Sequence, residues 1–473
     1  MTMVEDLAGF VEQAGYGRVS PDARQRLRVC MVDALGCAIG ALGAQPLQAI
    51  RDYTAQFNDS TGCALIGGGR AAADRAAFHN AALVRYLDFN DSFLAPGETC
   101  HPSDNLGAIL AAAEYAGGSG AEFIGALAVA YQVQCRLSEV APVRGRGFDH
   151  TTQGAYAVAA GAGKALGLTA DQTANALAMA GTALNALRVT RTGALSHWKG
   201  LAFPFMSMCA LQAVFLARAG ITGPREVFEG NKGFMESISG RFEIDWRAED
   251  LERVKRVILK KHNAEVHSQS AIEAVLELKR AQPFQPEAVE RIEIETFDVA
   301  YKIIGGGEEG DKTVVRTKEE ADHSLPYIIA AAILDGQVMP EQYLPQRILR
   351  NDVQDLLRRV VVRPAPDLSR EFPDAMPARI RVCCRNGPTL TREQRDYEGF
   401  HTRPMSWESV AKKFNLLAAP YTTPELRRRL LDAVADLEHL PVSALTRLLA
   451  EVRSPHLTSR EESSYEPAKF AST

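Results

Sequence analysis

The segment from residue 86 to residue 110 brings carboxylic acids close to a histidine, a combination suited to proton transfer. Its chemically active side chains are Asp88, Asp91, His101 and Asp104. Carboxylates beside an imidazole are typical of general acid–base catalysis or of a metal site. Asp, Asn and Ser are also ordinary capping residues, so a loop that leads into a helix capped by Ser103 is the alternative interpretation.

Basic side chains mark two later segments. In residues 144–167, His150 precedes a predicted helix start at Thr151 or Thr152, and a surface histidine beside a cap is the alternative. Residues 187–203 form a loop with glycines whose basic side chains are Arg188, Arg191, His197 and Lys199. Such a group of basic side chains is suited to bind carboxylates at the base of a pocket. The alternative is a solvated loop, which the neighbouring Trp198 disfavours.

A fourth cluster lies where the helical pattern of the sequence gives way to a mixed one. Its members are Lys260, Lys261, His262, Glu265 and His267. They precede a predicted helix that begins near Ser268, and domain junctions commonly hold small-molecule sites. Further along, Tyr327 follows Pro326 in the first turn of an apolar helix, where a tyrosine is more often a core residue than a catalytic one.

Hydrophobic spacing predicts which elements position these residues. Residues 1–265 predict helices almost throughout, with helix starts at Ser20 and Thr169, and their many Ala and Gly residues allow helices to pack closely. Residues 405–460 are helical again, and 461–473 read as a loose tail.

The middle of the chain has a different pattern. Between residues 266 and 404, strand patterns at 291–297, 359–364 and 378–385 alternate with helical stretches. This predicts a small α+β lid domain inserted into the helical one. The expected fold is therefore mainly α, with a large helical domain built from both ends of the chain.

Composition excludes several classes of protein. The chain has 473 residues, of which 46% are apolar and 23% charged, as in soluble globular proteins of more than one domain. The net charge of −5, with Arg and Lys spread along the chain, excludes a basic face for nucleic acid or anionic membranes. No secretory signal or membrane span is expected. Eight cysteines without a CxxC pair predict reduced thiols in the cytoplasm.

Common cofactor and hydrolase motifs are missing from the sequence. It has no GxGxxG between a strand and a helix, no GxxxxGK[ST], no GxSxG and no HExxH. Its cysteines lack the clustered spacing that holds an iron–sulfur cluster. The sequence therefore predicts chemistry by protein side chains, with no metal and no cofactor.

Five segments, in order along the chain, resemble motifs of the MmgE/PrpD family, which includes 2-methylcitrate dehydratase and cis-aconitate decarboxylase. They are LDFNDS with HPSDN, GFDHTTQGA, SHWKG, KKHNAEVHSQSAIEA and ADHSLPY. A later DYEGFHTRPM, followed by KKF, is similar to the C-terminal signature of the family. The resemblance extends from about residue 20 to residue 450. It implies a helical domain with an α+β lid, and a homodimer.

Carried over position by position, the resemblance implies a set of pocket residues. They are Asp88, Ser92, His101, His150, Lys199, Lys260 and Tyr327. Arg191, Glu265 and His267 are added as candidate substrate contacts. Glu265 stands where a histidine is expected in the decarboxylases, and the segment AEVHSQ is closer to the dehydratases.

The implied reaction is the dehydration of a tricarboxylate, 2-methylcitrate or citrate. Asp88 or His101 would remove a proton beside a carboxylate, and His150 or Tyr327 would protonate the leaving hydroxide. Lys199, Lys260 and Arg191 would bind the carboxylates. Substituting Asp88→Asn or His101→Gln is expected to abolish turnover and to leave stability nearly intact.

Three other functions remain open from the sequence. The same pocket could decarboxylate cis-aconitate to itaconate, or isomerise or epimerise a dicarboxylate, since each reaction needs carbon-acid chemistry. A catalytically silent binding protein on the same fold is a further alternative, although the Lys and His residues of the matched segments are all present.

Overall fold

The computed structural model describes residues 2–193, 195–385 and 387–453, and the fold is mainly helical, as the sequence predicts. The predicted tail, 461–473, lies outside the described residues. The N-terminal helices are α1 (Met3–Gln13), α2 (Pro21–Gly40), α3 (Gln45–Ala55), α4 (Ala73–Tyr86), α5 (Leu106–Ala116), α6 (Gly120–Val140), α7 (Thr151–Ala165), α8 (Ala170–Ala183) and α9 (Trp198–Arg218).

The remaining elements belong to the middle and the end of the chain. The middle helices are α10 (Gln269–Ala281), α11 (Asp298–Ile304), α12 (Lys318–Ala321), α13 (Leu325–Asp335), α14 (Pro345–Ile348), α15 (Asn351–Leu357) and α16 (Pro366–Ser369). The C-terminal helices are α17 (Trp407–Ala418), α18 (Pro424–Ala435) and α19 (Val442–Glu451). The strands are β1 (Asn58–Ala64), β2 (Arg70–Ala71), β3 (Phe93–Ala95), β4 (Glu98–Cys100), β5 (Val289–Thr296), β6 (Val360–Pro364), β7 (Ala378–Cys384) and β8 (Thr389–Gln394).

Two large hydrophobic cores form from different parts of the chain. The first contains residues from 4 to 259 together with residues from 405 to 452, so both chain ends build it. The second contains residues from 264 to 390. We call the two regions the helical domain and the lid. Helix α17 packs on α2, where a Cβ on Gly36 would lie 3.1 Å from the Phe414 Cα, so this close approach favours a glycine.

The lid is built on a four-stranded sheet in the order β6-β5-β7-β8. Strand β5 runs parallel to β6 and antiparallel to β7, and Ile292 pairs with both Val360 and Val382. Helix α10 packs on β7 and β8, and α13 packs on β6. The three strands predicted from the sequence are present. Strand β8 was missed because its residues TLTREQ are mostly polar and exposed.

Helix starts follow the capping residues at two of three predicted positions. Ser20 accepts the Ala23 N–H at the start of α2, and Thr169 accepts the Gln172 N–H at the start of α8. The prediction for Ser103 was wrong, because α5 begins at Leu106 after a short 3-10 turn. The Ser103 hydroxyl instead donates to the buried Asp91 carboxylate at 2.7 Å.

The prediction of helices almost throughout residues 1–265 was also wrong after α9. From residue 219 to residue 268 the described chain forms loops with short 3-10 and π turns. Glycines and a proline interrupt this stretch, as in GITGP and EGNKG, and both residue types disfavour helix interiors. Short hairpins also form between β1 and β2 and between β3 and β4.

Helix α9 is long and apolar enough to cross a membrane by length and composition, with a mean hydropathy of 1.7. The bent pair of α2 and α3 passes the same test when the two helices are taken together. No such segment is expected from the sequence. Helix α9 packs on α4, α7 and α8, and 61% of its apolar window is buried inside the protein, as in a core helix.

Candidate active site

A cavity lies between the helical domain and the lid, and its wall is crowded with ionisable side chains. The histidines in the wall are His101, His150, His267 and His323. The cations are Arg85, Arg144, Arg188, Arg191 and Lys260, and the carboxylates are Asp88, Glu98, Glu265 and Glu309. Without counting the histidines, the cations outnumber the carboxylates by one, so the wall favours an anionic ligand.

Asp88 is placed by a strained backbone just beyond the end of α4. Its φ of +53° lies in the left-handed region, which a non-glycine residue adopts only when its surroundings hold it there. The Lys260 ammonium donates to the Asp88 carbonyl at 2.6 Å and to its Oδ1 at 2.8 Å, and the Arg85 guanidinium donates to the same Oδ1 at 2.6 Å. These bonds hold both the backbone and the carboxylate.

The charge of Asp88 is set by its neighbours. Burial by itself would raise the pKa of Asp88, but the Arg85, Lys260 and Lys199 cations hold it well below its ordinary value. Cations also contact both of its carboxylate oxygens, Lys260 and Arg85 at Oδ1 and Lys199 at Oδ2, so neither oxygen is free to take a proton from a substrate. Asp88 therefore organises the cations around it, and of the two candidate bases His101 is the better suited.

Asp88, Asp322 and His323 present ligand atoms within 4.8 Å of one another, as a metal site would. The Lys199 ammonium lies among them, 2.9 Å from Asp322 Oδ1, 2.9 Å from His323 Nδ1 and 3.3 Å from Asp88 Oδ2. A protein cation thus neutralises this cluster. Burial lowers the pKa of Lys199, although both carboxylates oppose that shift.

His101 is held in one tautomer by the backbone. Its Nδ1 lies 2.7 Å from the Asp91 carbonyl, and a carbonyl only accepts, so Nδ1 carries the proton and donates. The Ser92 hydroxyl lies behind the ring, 3.2 Å from the same nitrogen. Burial, together with the nearby Arg85 and Lys260, keeps the pKa of His101 well below its ordinary value. His101 is therefore neutral at pH 7, with the lone pair of Nε2 available as a base.

His150 occupies the N-cap position of α7, as the sequence predicts, and its ring faces His101 edge-on with 5.2 Å between ring centroids. Neither of its nitrogens has a hydrogen-bond partner among the described residues. Burial lowers the pKa of His150 to about 3, although the Asp149 carboxylate 3.8 Å away opposes that shift. Asp149 is itself bound by Arg191, whose Nε lies 2.6 Å from Oδ2.

Glu265 and His267 form a second pair on the lid side of the cavity. The Nδ1 of His267 lies 2.7 Å from Glu265 Oε1, and its backbone N–H donates to Oε2 at 2.8 Å. Burial opposes ionisation of Glu265, but the His267 ring and its hydrogen bond lower the Glu265 pKa to about 2. The carboxylate therefore orients the imidazole, whose Nε2 has no partner in the described part of the chain.

Comparisons with known proteins agree with this architecture. The MmgE/PrpD N-terminal domain matches residues 5–247, and the MmgE/PrpD C-terminal domain matches residues 262–439. The chain belongs to the MmgE/PrpD family. The resemblance proposed from the sequence motifs is thereby confirmed.

Several characterised relatives cover almost the whole chain of this MmgE/PrpD protein. Cis-aconitate decarboxylase of Mus musculus is 25% identical, over 95% of this chain and 93% of its own. The 2-methylcitrate dehydratases of Salmonella typhi and Cupriavidus necator are 26% and 27% identical, each over 93% of this chain and 95% of their own.

The structure brings most of the site residues predicted for this MmgE/PrpD protein to one cavity. They are Asp88, His101, His150, Arg191, Lys260, Glu265 and His267. Ser92 and Lys199 lie one layer behind, against His101 and Asp88 respectively. Tyr327 is not at the cavity, because it is buried in the lid core and its hydroxyl donates to the Gln342 carbonyl.

Sequence reasoning missed several residues of the cavity wall. They are Arg85, Glu98, Arg144, His323 and Glu309. His323 and Arg144 lie inside segments that were already selected from the sequence, so their position in those segments could have identified them as site residues. No sequence feature indicated Glu309, because it lies in a polar loop after GGG, a pattern that predicts only a turn.

Proposed function

We propose that this MmgE/PrpD protein is a hydro-lyase that removes water from 2-methylcitrate, and from citrate, using its own side chains as acid and base. One observation carries the proposal: two buried, neutral imidazoles, His101 and His150, face each other in a cavity lined by four arginines and a lysine. The relatives named 2-methylcitrate dehydratase support this substrate.

In the proposed reaction His101 is the base. Its Nε2 takes the proton from the carbon beside a substrate carboxylate, and the electrons of that C–H bond form the carbon–carbon double bond. The bond from the neighbouring carbon to its hydroxyl breaks at the same time. The charge that develops on the carboxylate is stabilised by the cations of the wall, among them Arg85 and Lys260.

His150 is the proposed acid that protonates the departing hydroxide to water. In the empty site burial keeps this imidazole neutral. A bound polyanion favours its protonated form, because opposite charge raises the pKa of a histidine. The ionised Asp149 beside it acts in the same direction. Arg191, which lines the cavity and holds Asp149, is placed to bind a substrate carboxylate.

Product analysis tests the proposed reaction. Incubation of the purified protein with 2-methylcitrate or citrate, followed by proton NMR, is expected to show formation of the corresponding aconitate, and hydration in the reverse direction. Release of CO₂ with formation of itaconate from cis-aconitate would identify the protein as a decarboxylase instead. Absence of any conversion of the three acids would contradict both.

The proposal includes a homodimer, for which α9 offers a surface. One side of this helix carries Trp198, Phe205 and Leu216, whose exposed fractions are 46%, 42% and 49%. Their spacing of seven and eleven residues places them along one face of the helix. Large exposed apolar side chains along one helix face are typical of protein–protein contact sites.

Leu216→Glu is expected to convert the dimer to a monomer, because it places a charge in this apolar face. Size-exclusion chromatography with light scattering measures the change. Leu349→Glu is the matched control, since Leu349 is 58% exposed and belongs to the lid, not to α9. A Leu216→Glu protein that stays dimeric would remove α9 from the interface, and a monomeric wild-type protein would contradict the homodimer itself.

A cytoplasmic location completes the proposal. All eight cysteines are free, and five of them are buried. Free thiols are typical of proteins that work in a reducing compartment.

A further inference from the structure

A glutamate of the lid meets two arginines of the helical domain at the wall of the cavity. Oε1 of Glu309 lies 2.9 Å from Nη2 of Arg188 and 3.5 Å from Nη2 of Arg144. All three side chains line the cavity, and the glutamate side chain is only 7% exposed. Two guanidinium groups directed at one oxygen are well suited to hold a carboxylate.

The backbone of each arginine is held in place without Glu309. The backbone N–H of Arg188 donates to the Gly147 carbonyl at 2.9 Å, and Phe148 pairs with Leu187 in a β-bridge. The loops that carry the two arginines are therefore joined. The backbone N–H of Arg144 donates to Glu98 Oε2 at 3.0 Å. The backbone positions of both arginines are therefore fixed within the helical domain, and the Arg188 guanidinium also lies 3.8 Å from the Asp149 carboxylate.

Glu309, in contrast, is carried by a glycine-rich loop of the lid, GGGEEG at 305–310. Gly306 and Gly310 have φ values of +100° and +87°, so the loop bends where glycine has most freedom. In the described part of the chain, the hydrogen bonds and ion pairs of the Glu309 carboxylate are those to Arg144 and Arg188. Movement of this loop would break these contacts and free both guanidinium groups, while the backbone that carries them stays held.

The cavity is too small for the proposed substrate while Glu309 is in this position. Its free volume is about 50 Å³, which is room for about three or four water molecules. A tricarboxylate needs more space, so the wall must rearrange when the substrate enters. Displacement of Glu309 would enlarge the cavity and would expose two cations.

We infer that Arg144 and Arg188 form a carboxylate subsite, which Glu309 occupies in the empty protein and which a substrate carboxylate takes over when it binds. The class of ligand rests on the proposed function. Glu309 is thus an internal competitor. It holds the lid closed over an empty site. Only molecules whose subsite is free of Glu309 can bind a substrate carboxylate there, so Glu309 lowers the apparent affinity for substrate.

Calorimetric titration with citrate tests this subsite independently of turnover. Glu309→Gln is expected to bind citrate about three- to tenfold more tightly than the wild-type protein, because the competitor loses its charge and both arginines remain. Arg188→Gln is expected to bind citrate more weakly than the wild-type protein. Glu308→Gln is the matched control, since the neighbouring glutamate is exposed and does not line the cavity, and its affinity should not change.

The outcomes separate the subsite from the proposed function. If the wild-type protein binds citrate and Glu309→Gln binds it equally or more weakly, the subsite is refuted and the proposed function stands. Equal tightening in Glu308→Gln also refutes the subsite, because a general loss of negative charge would then explain both variants. If neither the wild-type protein nor Glu309→Gln binds citrate or 2-methylcitrate, both proposals fail.

Discussion

Replacement of His101 by glutamine is expected to lower kcat/KM for 2-methylcitrate about 10²–10⁴-fold, the usual contribution of a positioned general base. Glutamine can still donate to the Asp91 carbonyl that holds Nδ1 of His101 at 2.7 Å. It has no basic nitrogen to take the proton from the substrate. The thermal midpoint should therefore remain close to the wild-type value while turnover is lost, and steady-state kinetics together with a thermal melt measure both quantities.

A buried histidine elsewhere in the helical domain is the control for this substitution. His79 in α4 is also buried and neutral, because burial lowers its pKa to about 4, and its Nδ1 contacts the Asn80 side chain. It does not line the cavity. His79→Gln should retain turnover. Wild-type rates in His101→Gln would refute the assignment of His101 as the base.

Substitution of Asp88 by asparagine is expected to impair both stability and activity. From the sequence, stability is expected to survive this change, but the structure places the carboxylate among three buried cations. Loss of one partner from a buried charge cluster costs about 3–5 kcal/mol, since the remaining charges are left uncompensated. Displacement of Lys260 and Arg85 should also lower kcat/KM about 10²-fold or more.

The stability contributed by Asp88 should depend on pH with a definite sign. Its pKa is depressed in the folded protein, so as the pH falls through about 4 the unfolded chain binds a proton before the folded one does. The contribution is therefore complete above about pH 5 and decreases toward lower pH. Thermal melts at pH 7 and pH 4 should show a larger difference between the wild-type protein and Asp88→Asn at pH 7.

An exposed aspartate provides the comparison for this experiment. Asp432 pairs with Arg428 at 3.0 Å on the surface of the helical domain, where both side chains are more than half exposed. Surface pairs contribute about 0–1 kcal/mol, so Asp432→Asn should melt almost like the wild-type protein. An equal decrease of the thermal midpoint in the two variants would show that the cations around Asp88 do not need its negative charge for stability.

Those residues of the candidate site that lie in recognisable sequence segments could be predicted from the sequence. His101, His150 and Lys260 were selected from the composition and order of those segments, and the structure places all three at one cavity. Tyr327 was selected in the same way, yet its helix directs it into the lid core. Adjacency to a motif predicts which segment approaches a site, but the rotation of the helix determines where each side chain points.

Local pattern alone determined the mainly helical fold, the strands β5 to β7 and the family, because periodicity, capping and ordered motifs are properties of neighbouring residues. Tertiary structure decided which of those residues can act as base or acid. The pKa of a side chain depends on burial and on charges that come from distant parts of the chain, as Lys260 and Arg85 do for Asp88. The contact of Glu309 with Arg188, across the boundary between lid and helical domain, likewise exists only in the folded protein.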